Sequence, residues 1–321
     1  MQKFVRKIAL FFIIISIFAG SANAATTLIP GGQLIGLELQ DNTVTVAGFD
    51  ESLGAAAQSA GLKKGDRILR VNNKQVHCAE DVRKALLGAE EKVEIRLCRE
   101  GKTKKAVLRP ALTKDGPRLG VYLKQGTTGV GTVTYYDPQT KEFAALGHGV
   151  NVSGGALLQL KKGTAYEADI LSVKKGKVGA PGQLMGALRA ETTIGTIEKN
   201  TAQGVFGKAS LSFQGDSLPV ASSADVQKGA ATIRSTVKDT LQEYSVEILK
   251  IYPQAPDRCR NLLIRITDPA LLSATGGIVQ GMSGSPIIQN GKLVGAVTHV
   301  LVNDPTTGYG IFIENMLDAA A

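Results

Sequence analysis

The segment Gly281–Pro286, with the sequence GMSGSP, decides how the rest of this chain is interpreted. Glycine on each side of Ser283 lets the backbone turn tightly and direct two N–H groups into one small space. A serine hydroxyl attacks a carbonyl only if a base takes its proton and hydrogen-bond donors hold the oxyanion that forms. The segment therefore fits a reactive serine on a tight turn, and it also fits a simple Gly/Ser turn between two strands.

The string resembles the Gly-x-Ser-Gly-Gly/Ser-Pro segment of chymotrypsin-like and HtrA-type proteases. This resemblance implies that Ser283 is the nucleophile and that the N–H groups of Gly281 and Ser283 form the oxyanion hole. Ser285 is the weaker candidate, because the ring of Pro286 restricts the backbone of the residue before it.

Candidate bases are few, because the chain has three histidines. His148 follows an apolar segment within Gly-His-Gly, which predicts an imidazole on a tight turn that a substrate can reach. His299 lies in the middle of a predicted strand, where a histidine is more often a hydrogen-bonded core residue. His77 is predicted to lie at the surface of the N-terminal domain. His148 is therefore the predicted base.

Two aspartates compete for the role of the acid that orients the base. Asp268 precedes Ser283 by fifteen residues and would give the chain order His, Asp, Ser. Because Pro269 follows it, Asp268 also fits the start of a helix. Asp169 follows His148 at a shorter distance, nearer to ordinary chymotrypsin-type spacing. The residues themselves leave this choice open.

The fold is predicted to be mainly β. Gly is abundant, at 37 residues, aromatic residues make up 5%, and helical periodicity is weak after Gly120. Many short apolar strands separated by Gly, Thr and charged turns indicate a barrel or a sandwich. Together with the resemblance of the segment around Ser283 to chymotrypsin-like proteases, this implies that residues 120–321 form a serine peptidase domain, a chymotrypsin-like β-barrel.

Residues 33–112 are predicted to form a small α+β domain. The motif AGLKKGDRILRVN at residues 60–72, followed by a predicted helix and a hairpin, resembles a bacterial PDZ domain. Such a domain binds a C-terminal or extended peptide by adding it to a sheet edge. By this resemblance, Leu34, Ile35 and Gly36 belong to the loop that captures the peptide carboxylate.

The N-terminus has the pattern of an export signal. Lys3, Arg6 and Lys7 precede an apolar run over residues 8–19, and Ala22-Asn-Ala24 has small residues where a signal peptidase reads. The run is short for a membrane span, which needs about 20 residues. Residues 1–24 are thus predicted to be a signal peptide cleaved after Ala24, with an uncleaved membrane anchor as the alternative.

Composition excludes several other classes. The formal net charge is +9, but no basic run interleaved with aromatic residues occurs, so a nucleic-acid partner is not expected, whereas an anionic membrane surface remains open. The chain has an odd number of cysteines, Cys78, Cys98 and Cys259, and none of them forms a CxxC motif. Cys78 and Cys98 could pair, but two separate core residues are favoured. No metal site and no cofactor is predicted.

The C-terminal block carries a longer resemblance. The run TGGIVQGMSGSPIIQNGK at residues 275–292, together with IPGGQ at 29–33 and ALGH at 145–148, is similar to the stage IV sporulation protein B peptidases of endospore-forming bacteria. The resemblance implies a triad of His148, Asp268 and Ser283. It also implies an exported enzyme in the space between the two forespore membranes. Such an enzyme cleaves a membrane-bound regulator of an intramembrane protease, activates a late sigma factor in this way, and processes itself. The alternative is a catalytically inactive exported PDZ adaptor.

Overall fold

The computed structural model describes residues 26–89, 91–152, 155–238 and 240–321, so the predicted export segment at residues 1–24 lies outside the described residues. The strands are β1 (Thr27–Pro30), β2 (Leu34–Phe49), β3 (Arg67–Val71), β4 (Lys74–Gln75), β5 (Val93–Arg99), β6 (Lys102–Leu108), β7 (Ala111–Thr113), β8 (Gly116–Arg118), β9 (Val121–Tyr136), β10 (Glu142–Ala145), β11 (Lys162–Lys174), β12 (Gln183–Thr201), β13 (Gly204–Ala209), β14 (Leu218–Pro219), β15 (Gly229–Lys238), β16 (Thr240–Ile251), β17 (Leu262–Ile266), β18 (Pro286–Gln289), β19 (Lys292–Leu301) and β20 (Asp304–Phe312). The helices are α1 (Ala55–Ser59), α2 (Ala79–Leu86), α3 (Pro269–Thr275) and α4 (Ile313–Ala320). Within the described residues, no helix has the length and apolar character needed to span a bilayer.

The first barrel is a ring of six antiparallel strands. In order around the ring these are β2, β9, β10, β13, β12 and β11, and the pairing of β2 with β9 closes it. Ile35, Leu37 and Leu39 alternate along β2 and point their apolar side chains into the core, where they meet Val133 and Phe143. Closure pairs every strand on both sides and removes the open sheet edges.

The second barrel is also closed, with the strand order β15, β16, β17, β20, β19 and β18. Its core contains Ile233, Tyr244, Ile264 and Val297, each at most 2% exposed. Met282, beside the predicted nucleophile, is buried in the same core. The turn that carries Ser283 is therefore anchored in this barrel by its own neighbour in sequence.

The small domain packs α1 and α2 against β3, β5 and β6, with a core that includes Ile68, Val82 and Ile95. Parts of two long strands complete it: Val44 and Thr45 of β2 pair with β3, while residues 44–49 pair with residues 121–125 of β9. The prediction of a mainly β chain, with a PDZ domain followed by a chymotrypsin-like barrel, is confirmed.

Strands β2 and β9 each have 16 residues and run from the small domain into the first barrel. Leu34 to Leu39 of β2 pair with β9 and β11 in the barrel, although this segment was predicted to open the PDZ-like domain. The predicted boundaries at residues 33 and 120 fall just before β2 and β9, and each of these strands belongs both to the small domain and to the first barrel. The three cysteines are free, so the alternative pairing of Cys78 with Cys98 is not formed.

Candidate active site

One cleft contains two of the three predicted catalytic side chains, those of His148 and Ser283. His148 follows β10 of the first barrel, and Ser283 precedes β18 of the second. Both residues line a cavity of about 520 Å³, together with Thr298 and His299 of β19. Residues that are 135 positions apart in sequence thus meet because each barrel presents one loop to the same cleft.

The backbone of the serine turn requires glycine. Gly281 and Gly284 have φ angles of +101° and +97°, in the region that residues with a side chain rarely adopt. A Cβ on Gly284 would lie 2.1 Å from the carbonyl oxygen of Thr132 and 2.5 Å from the amide nitrogen of Leu146. The glycine permits close contact between the serine turn and the two chain segments of the first barrel that lie behind it.

Thr132 of β9 holds this turn in place, although nothing in its strand pattern distinguishes it from its neighbours. Its Oγ1 donates to the carbonyl of Gly281 at 2.7 Å, and its N–H donates to the carbonyl of Ser283 at 3.0 Å. The carbonyl of Thr132 accepts from the N–H of Leu146 at 3.2 Å, two residues before His148. Thr132 is 1% exposed, and it links the serine turn to the histidine turn.

Some backbone amides of the serine turn donate hydrogen bonds within the protein, and others do not. The N–H of Met282 donates to Val279 at 3.1 Å, and the N–H of Gly284 donates to Val297 at 2.8 Å. Among the described residues, the N–H groups of Gly281 and Ser283 have no acceptor. The two amides expected to form the oxyanion hole are thus available to bind a negatively charged oxygen.

The two catalytic groups are not hydrogen-bonded to each other in this structure. The Ser283 hydroxyl donates to the carbonyl of Thr298 at 2.8 Å. Nδ1 of His148 lies 3.0 Å from the carbonyl of Gly149, and a nitrogen that donates to a carbonyl carries the ring proton. In that tautomer Nε2 is unprotonated and can take the serine proton.

Burial lowers the pKa of His148, and the hydrogen bond to Gly149 offsets only part of this effect. The charged form of a buried imidazole is disfavoured because it has lost solvent. His148 is therefore neutral at neutral pH, which is the state that a general base needs.

The structure does not bring either candidate acid to His148. Oδ1 of Asp268 accepts from the N–H groups of Ala270 and Leu271 at 2.9 and 3.0 Å, so Asp268 is the N-cap of α3. Its other oxygen accepts from the N–H of Ser245 at 3.4 Å. Asp268 therefore has the position that the Asp268-Pro269 pair predicts for the start of a helix. Its short polar side chain accepts hydrogen bonds from the free amides of the first turn.

Asp169 is occupied elsewhere. It lies on β11, where it forms a two-pronged ion pair with Arg189 of β12. Its side chain is 48% exposed, and it lines a different cavity from that of His148 and Ser283. Arg189 lowers the pKa of Asp169 by hydrogen bonding. Asp169 is thus a charged surface residue.

His299 does not match the expectation of a hydrogen-bonded core residue. Its Nδ1 is buried and has no hydrogen-bond partner among the described residues. Its ring lies 5.2 Å from the ring of His148, centroid to centroid, and it lines the same cavity. The scarcity of histidines was the one sequence signal that could have pointed to it, since a strand position does not show which loop the side chain meets.

The predicted carboxylate-binding loop is wrong. Leu34, Ile35 and Gly36 lie within β2, where they pair with β9 on one side, and Ile35 and Gly36 also pair with β11 on the other. Leu34 and Ile35 are 6% and 0% exposed. A peptide can join a sheet only at a free edge, and a closed barrel offers none here. The apolar pattern with glycine marks a barrel strand rather than a loop.

The groove of the small domain lies instead between α2 and the start of β9. A cavity of about 250 Å³ is lined by Val82 and Leu86 of the helix and by Val121 and Leu123 of the strand. Residues 121–125 pair with β2 on one side, and no other described strand pairs with them. Gly120, with φ +69°, forms the turn before this edge. This arrangement allows an extended peptide to add itself to β9.

Two protein-family models match this chain, one over the two barrels and one over the small domain. A model described as SpoIVB peptidase S55 matches residues 115–317, and a PDZ domain model matches residues 33–109. The chain belongs to the SpoIVB peptidase S55 family. It is a serine endopeptidase with a PDZ domain, and its substrate is a protein or peptide.

Solved structures similar to this S55 peptidase include proteases and an isolated PDZ domain. The active form of the Rv3671c protease from M. tuberculosis is 15% identical, with 60% of this chain and 72% of that chain covered and a TM-score of 0.37. The HtrA-type protease AlgW with a decapeptide is 13% identical, with coverage of 65% and 57% and a TM-score of 0.37. The PDZ domain of an SdrC-like protein from Listeria monocytogenes is 20% identical over 27% of this chain and 92% of that chain, with a TM-score of 0.23. A search of curated proteins finds no match.

The chemistry open to this S55 peptidase is acyl transfer. For attack, the Ser283 hydroxyl must rotate from the Thr298 carbonyl toward Nε2 of His148, which takes its proton. The oxygen of the substrate carbonyl becomes negative and is held by the free amides of Gly281 and Ser283. His148 then gives the proton to the leaving amine, and water releases the acyl group from Ser283 by the reverse sequence.

Proposed function

We propose that this S55 peptidase is exported and cleaves a membrane-associated regulatory protein in the sporulation pathway that activates a late sigma factor. Its place of action is the intermembrane space around the forespore, where it is secreted or held by an N-terminal anchor, and it also processes itself. The family description, which refers to SpoIVB, supports the sporulation role. The basic and apolar pattern of residues 1–24 supports export.

The observation that carries the catalytic part is the meeting of His148 and Ser283 in one cleft, beside two amides that have no acceptor among the described residues. A nucleophile, a neutral base and oxyanion donors are the parts that peptide hydrolysis requires. The family match favours this enzyme over the inactive exported adaptor.

The PDZ groove gives the substrate a second binding site. An extended segment of the regulator adds to the free edge of β9 at residues 121–123, and its apolar side chains enter the cavity beside Val82 and Leu86. Arg83 and Arg118 also line this cavity, where they are paired with Glu80 and Asp115, and Asp50 lines it as well, so the apolar side chains carry the recognition. Binding here would tether a membrane-bound substrate near the cleft.

The central test compares the mature wild-type chain with Ser283→Ala, using cleavage of a candidate membrane regulator and labelling by a fluorophosphonate. The wild type should cleave and become labelled at Ser283, and the variant should lose turnover by roughly 10⁴- to 10⁶-fold. Residual cleavage by Ser283→Ala at the wild-type rate would show that another group is the nucleophile. Absence of labelling in the folded wild type would instead support the adaptor.

Two further measurements address export and the groove. Sequencing the N-terminus of the protein from sporulating cells should show a start at Ala25 if the signal is cleaved after Ala24. A start at Met1 in the membrane fraction would support the anchor. A peptide from the C-terminus of the regulator should shift the amide resonances of residues 121–123. Shifts confined to residues 34–36 would contradict the position of the groove.

A further inference from the structure

The sheet of the small domain has a covered face and an open face. On the covered face, apolar side chains such as those of Ile68 and Ile95 pack against α1 and α2. Successive side chains of a strand point to opposite faces, so their neighbours in sequence point away from the helices. The sheet runs in the order β9, β2, β3, β5 and β6, to which β9 contributes residues 121–125 and β2 contributes residues 44–49. Its open face is about 20 Å wide, since neighbouring strands lie about 4.8 Å apart.

The open face carries rows of like charges. Arg70 of β3 lies directly opposite Arg96 of β5, and Arg96 lies opposite Lys105 of β6. Arg67 and Lys124 form the next row, because both lie opposite the same residue of β2. Like charges that face each other across a sheet destabilise it, so their presence here calls for a functional explanation.

Acidic groups do little to balance these charges. The strand segments of this sheet contain one acidic residue, Glu94, which pairs with Lys105 at 2.6 Å and with Arg96 at 3.2 Å. Hydrogen bonds from Lys105 and Arg96 lower the pKa of Glu94, so this carboxylate is charged and already engaged. Among the described residues, the ion pairs of the small domain do not include Arg67 or Arg70. These two guanidinium groups can therefore pair with an external anion.

A cavity of about 370 Å³ lies on this face, between β3, β5 and the segment that follows β4. Arg67, Arg70 and Arg96 line it together with His77 and Thr103, and no described acidic residue lines it. It is open to solvent, because Arg70, Arg96 and His77 are exposed. Guanidinium groups donate in a planar fork that matches the oxygen atoms of a phosphate group. The cavity thus has the charge and the donors of a phosphate site.

The basic side chains extend beyond this cavity. Lys105 lies on one side of the arginines, and Lys124 lies at the opposite edge of the sheet. Val107, which is 46% exposed, projects from the same face and can enter an apolar layer. A single phosphate ion fits the cavity but cannot reach both lysines, whereas the headgroups of a bilayer lie side by side over such a distance. Charge complementarity thus favours an anionic lipid surface, to which each nearby Lys or Arg contributes about 5-fold in affinity.

We propose that the open face of the small domain binds anionic phospholipids, with the phosphate of one headgroup held by the arginines of the cavity and neighbouring headgroups held by Lys105 and Lys124. This site is distinct from the catalytic cleft. It is also distinct from the peptide groove, which lies on the side of the sheet where α2 packs, so a peptide and a membrane can be bound together. Lipid binding does not depend on catalysis, whereas its use in bringing the enzyme to a membrane-bound regulator rests on the proposed function.

The test measures co-sedimentation with vesicles of the chain that begins at Ala25, so that the predicted export segment cannot insert. Vesicles of phosphatidylcholine with phosphatidylglycerol supply anionic headgroups, and vesicles of phosphatidylcholine alone are neutral. We expect binding to the anionic vesicles that added salt weakens, and much weaker binding to the neutral ones. Equal binding to both kinds of vesicle, or binding to neither, would overturn the proposal.

A triple variant tests the cavity itself. Combining Arg67→Gln, Arg70→Gln and Arg96→Gln should weaken binding to anionic vesicles roughly 100-fold, at about 5-fold for each residue. The variant also removes the repulsion between Arg70 and Arg96, so its Tm should equal or exceed that of the wild type. Binding at the wild-type level, or a loss of binding that only follows a loss of Tm, would refute the site.

The matched control removes the same charge from the second barrel. Lys228→Gln, Lys238→Gln and Lys250→Gln change three exposed lysines outside the small domain, and this triple variant should bind anionic vesicles within a few-fold of the wild type. If it weakens binding as much as the arginine variant does, net charge alone explains the binding and the proposed face has no special part in it.

Competitors distinguish the sources of the anion. Neither inorganic phosphate nor polyglutamate, at matched charge, should release the chain from anionic vesicles, because neither presents phosphate groups across the whole face. Release by inorganic phosphate would identify a free phosphate as the ligand, and release by polyglutamate would identify an acidic peptide. Either result would overturn the assignment to a membrane.

Cleavage assays keep the lipid site and the proposed function apart. Vesicle binding is measured without substrate, so it does not require an active peptidase. Binding to anionic vesicles without cleavage of a membrane-bound regulator would support the lipid site and refute the proposed function. Cleavage of the regulator by a chain that does not bind vesicles would refute the lipid site and leave the proposed function standing.

Discussion

Thr132→Val tests whether a residue outside the predicted triad holds the serine turn in its catalytic shape. Valine has nearly the volume of threonine, so the substitution removes the hydroxyl and little else. The lost contact is the 2.7 Å hydrogen bond from Oγ1 to the carbonyl of Gly281. The main-chain bond from Thr132 to Ser283, at 3.0 Å, is unchanged by the substitution, so the fold should survive.

The magnitude follows from the carbonyl that is left without its donor. An unsatisfied buried acceptor costs about 1–3 kcal/mol. Because Gly281 is only half-buried, we expect the loss of this hydrogen bond to cost about 1–2 kcal/mol. If the cost falls on the transition state, kcat/KM drops roughly 5- to 30-fold, since each 1.36 kcal/mol is a factor of ten. The turn would then adopt other shapes in which the Gly281 amide no longer faces the oxyanion.

The assay is peptide hydrolysis together with the rate of fluorophosphonate labelling, each measured beside thermal unfolding. Thr134→Val is the matched control, because Thr134 is on the same strand, is 0% exposed, and has an Oγ1 with no partner among the described residues. Thr134→Val should keep its activity and be as stable as the wild type or more so. Equal activity in both variants, or equal losses in both, would refute the assigned role of Thr132.

Three other predictions concern the backbone, the acid and the base. Gly284→Ala should abolish labelling and lower Tm, because the added Cβ would lie 2.1 Å from a backbone oxygen. The control is Gly291→Ala, at a position with φ +71° and open space around it. This variant should stay active at a modest cost in stability. Asp268→Asn should retain both Tm and activity, since Asn caps a helix as well as Asp, and a 100-fold loss of kcat at unchanged Tm would instead identify Asp268 as the triad acid. Burial lowers the pKa of His148, so the base stays unprotonated until the pH falls below 6.5; a pH profile of kcat/KM should show its acid limb below that value, and a limb at higher pH would contradict the prediction.

Local pattern was sufficient where the chemistry depends on neighbours in sequence. The glycines at 281 and 284 indicate a tight turn, because their positive φ angles are ones that residues with a side chain rarely adopt. Gly-His-Gly after an apolar segment likewise indicated a tight turn with His148 on it, within reach of a substrate. Asp268 shows the limit of such evidence, because Asp-Pro fits both a helix cap and a triad member, and the structure shows only the cap.

Long-range contacts could not be inferred in this way. Strand β2 contributes residues 34–39 to the first barrel and residues 44–49 to the small domain, and the alternating pattern of an apolar strand does not show which sheet it joins. The PDZ groove has one wall from α2 and the other from residues 121–123, beyond the matched PDZ segment at residues 33–109. Its edge is visible only after β9 has paired with β2.

The amino-acid sequence is enough to specify a mainly β chain with a serine turn and a histidine turn, because tight turns and apolar alternation are properties of a few adjacent residues. The completed site depends on the closure of two barrels. Thr132 meets the serine turn across 149 positions of sequence, and His299 meets His148 only because the second barrel packs against the first. Such contacts arise from the way whole strands pair and pack, so no local pattern encodes them.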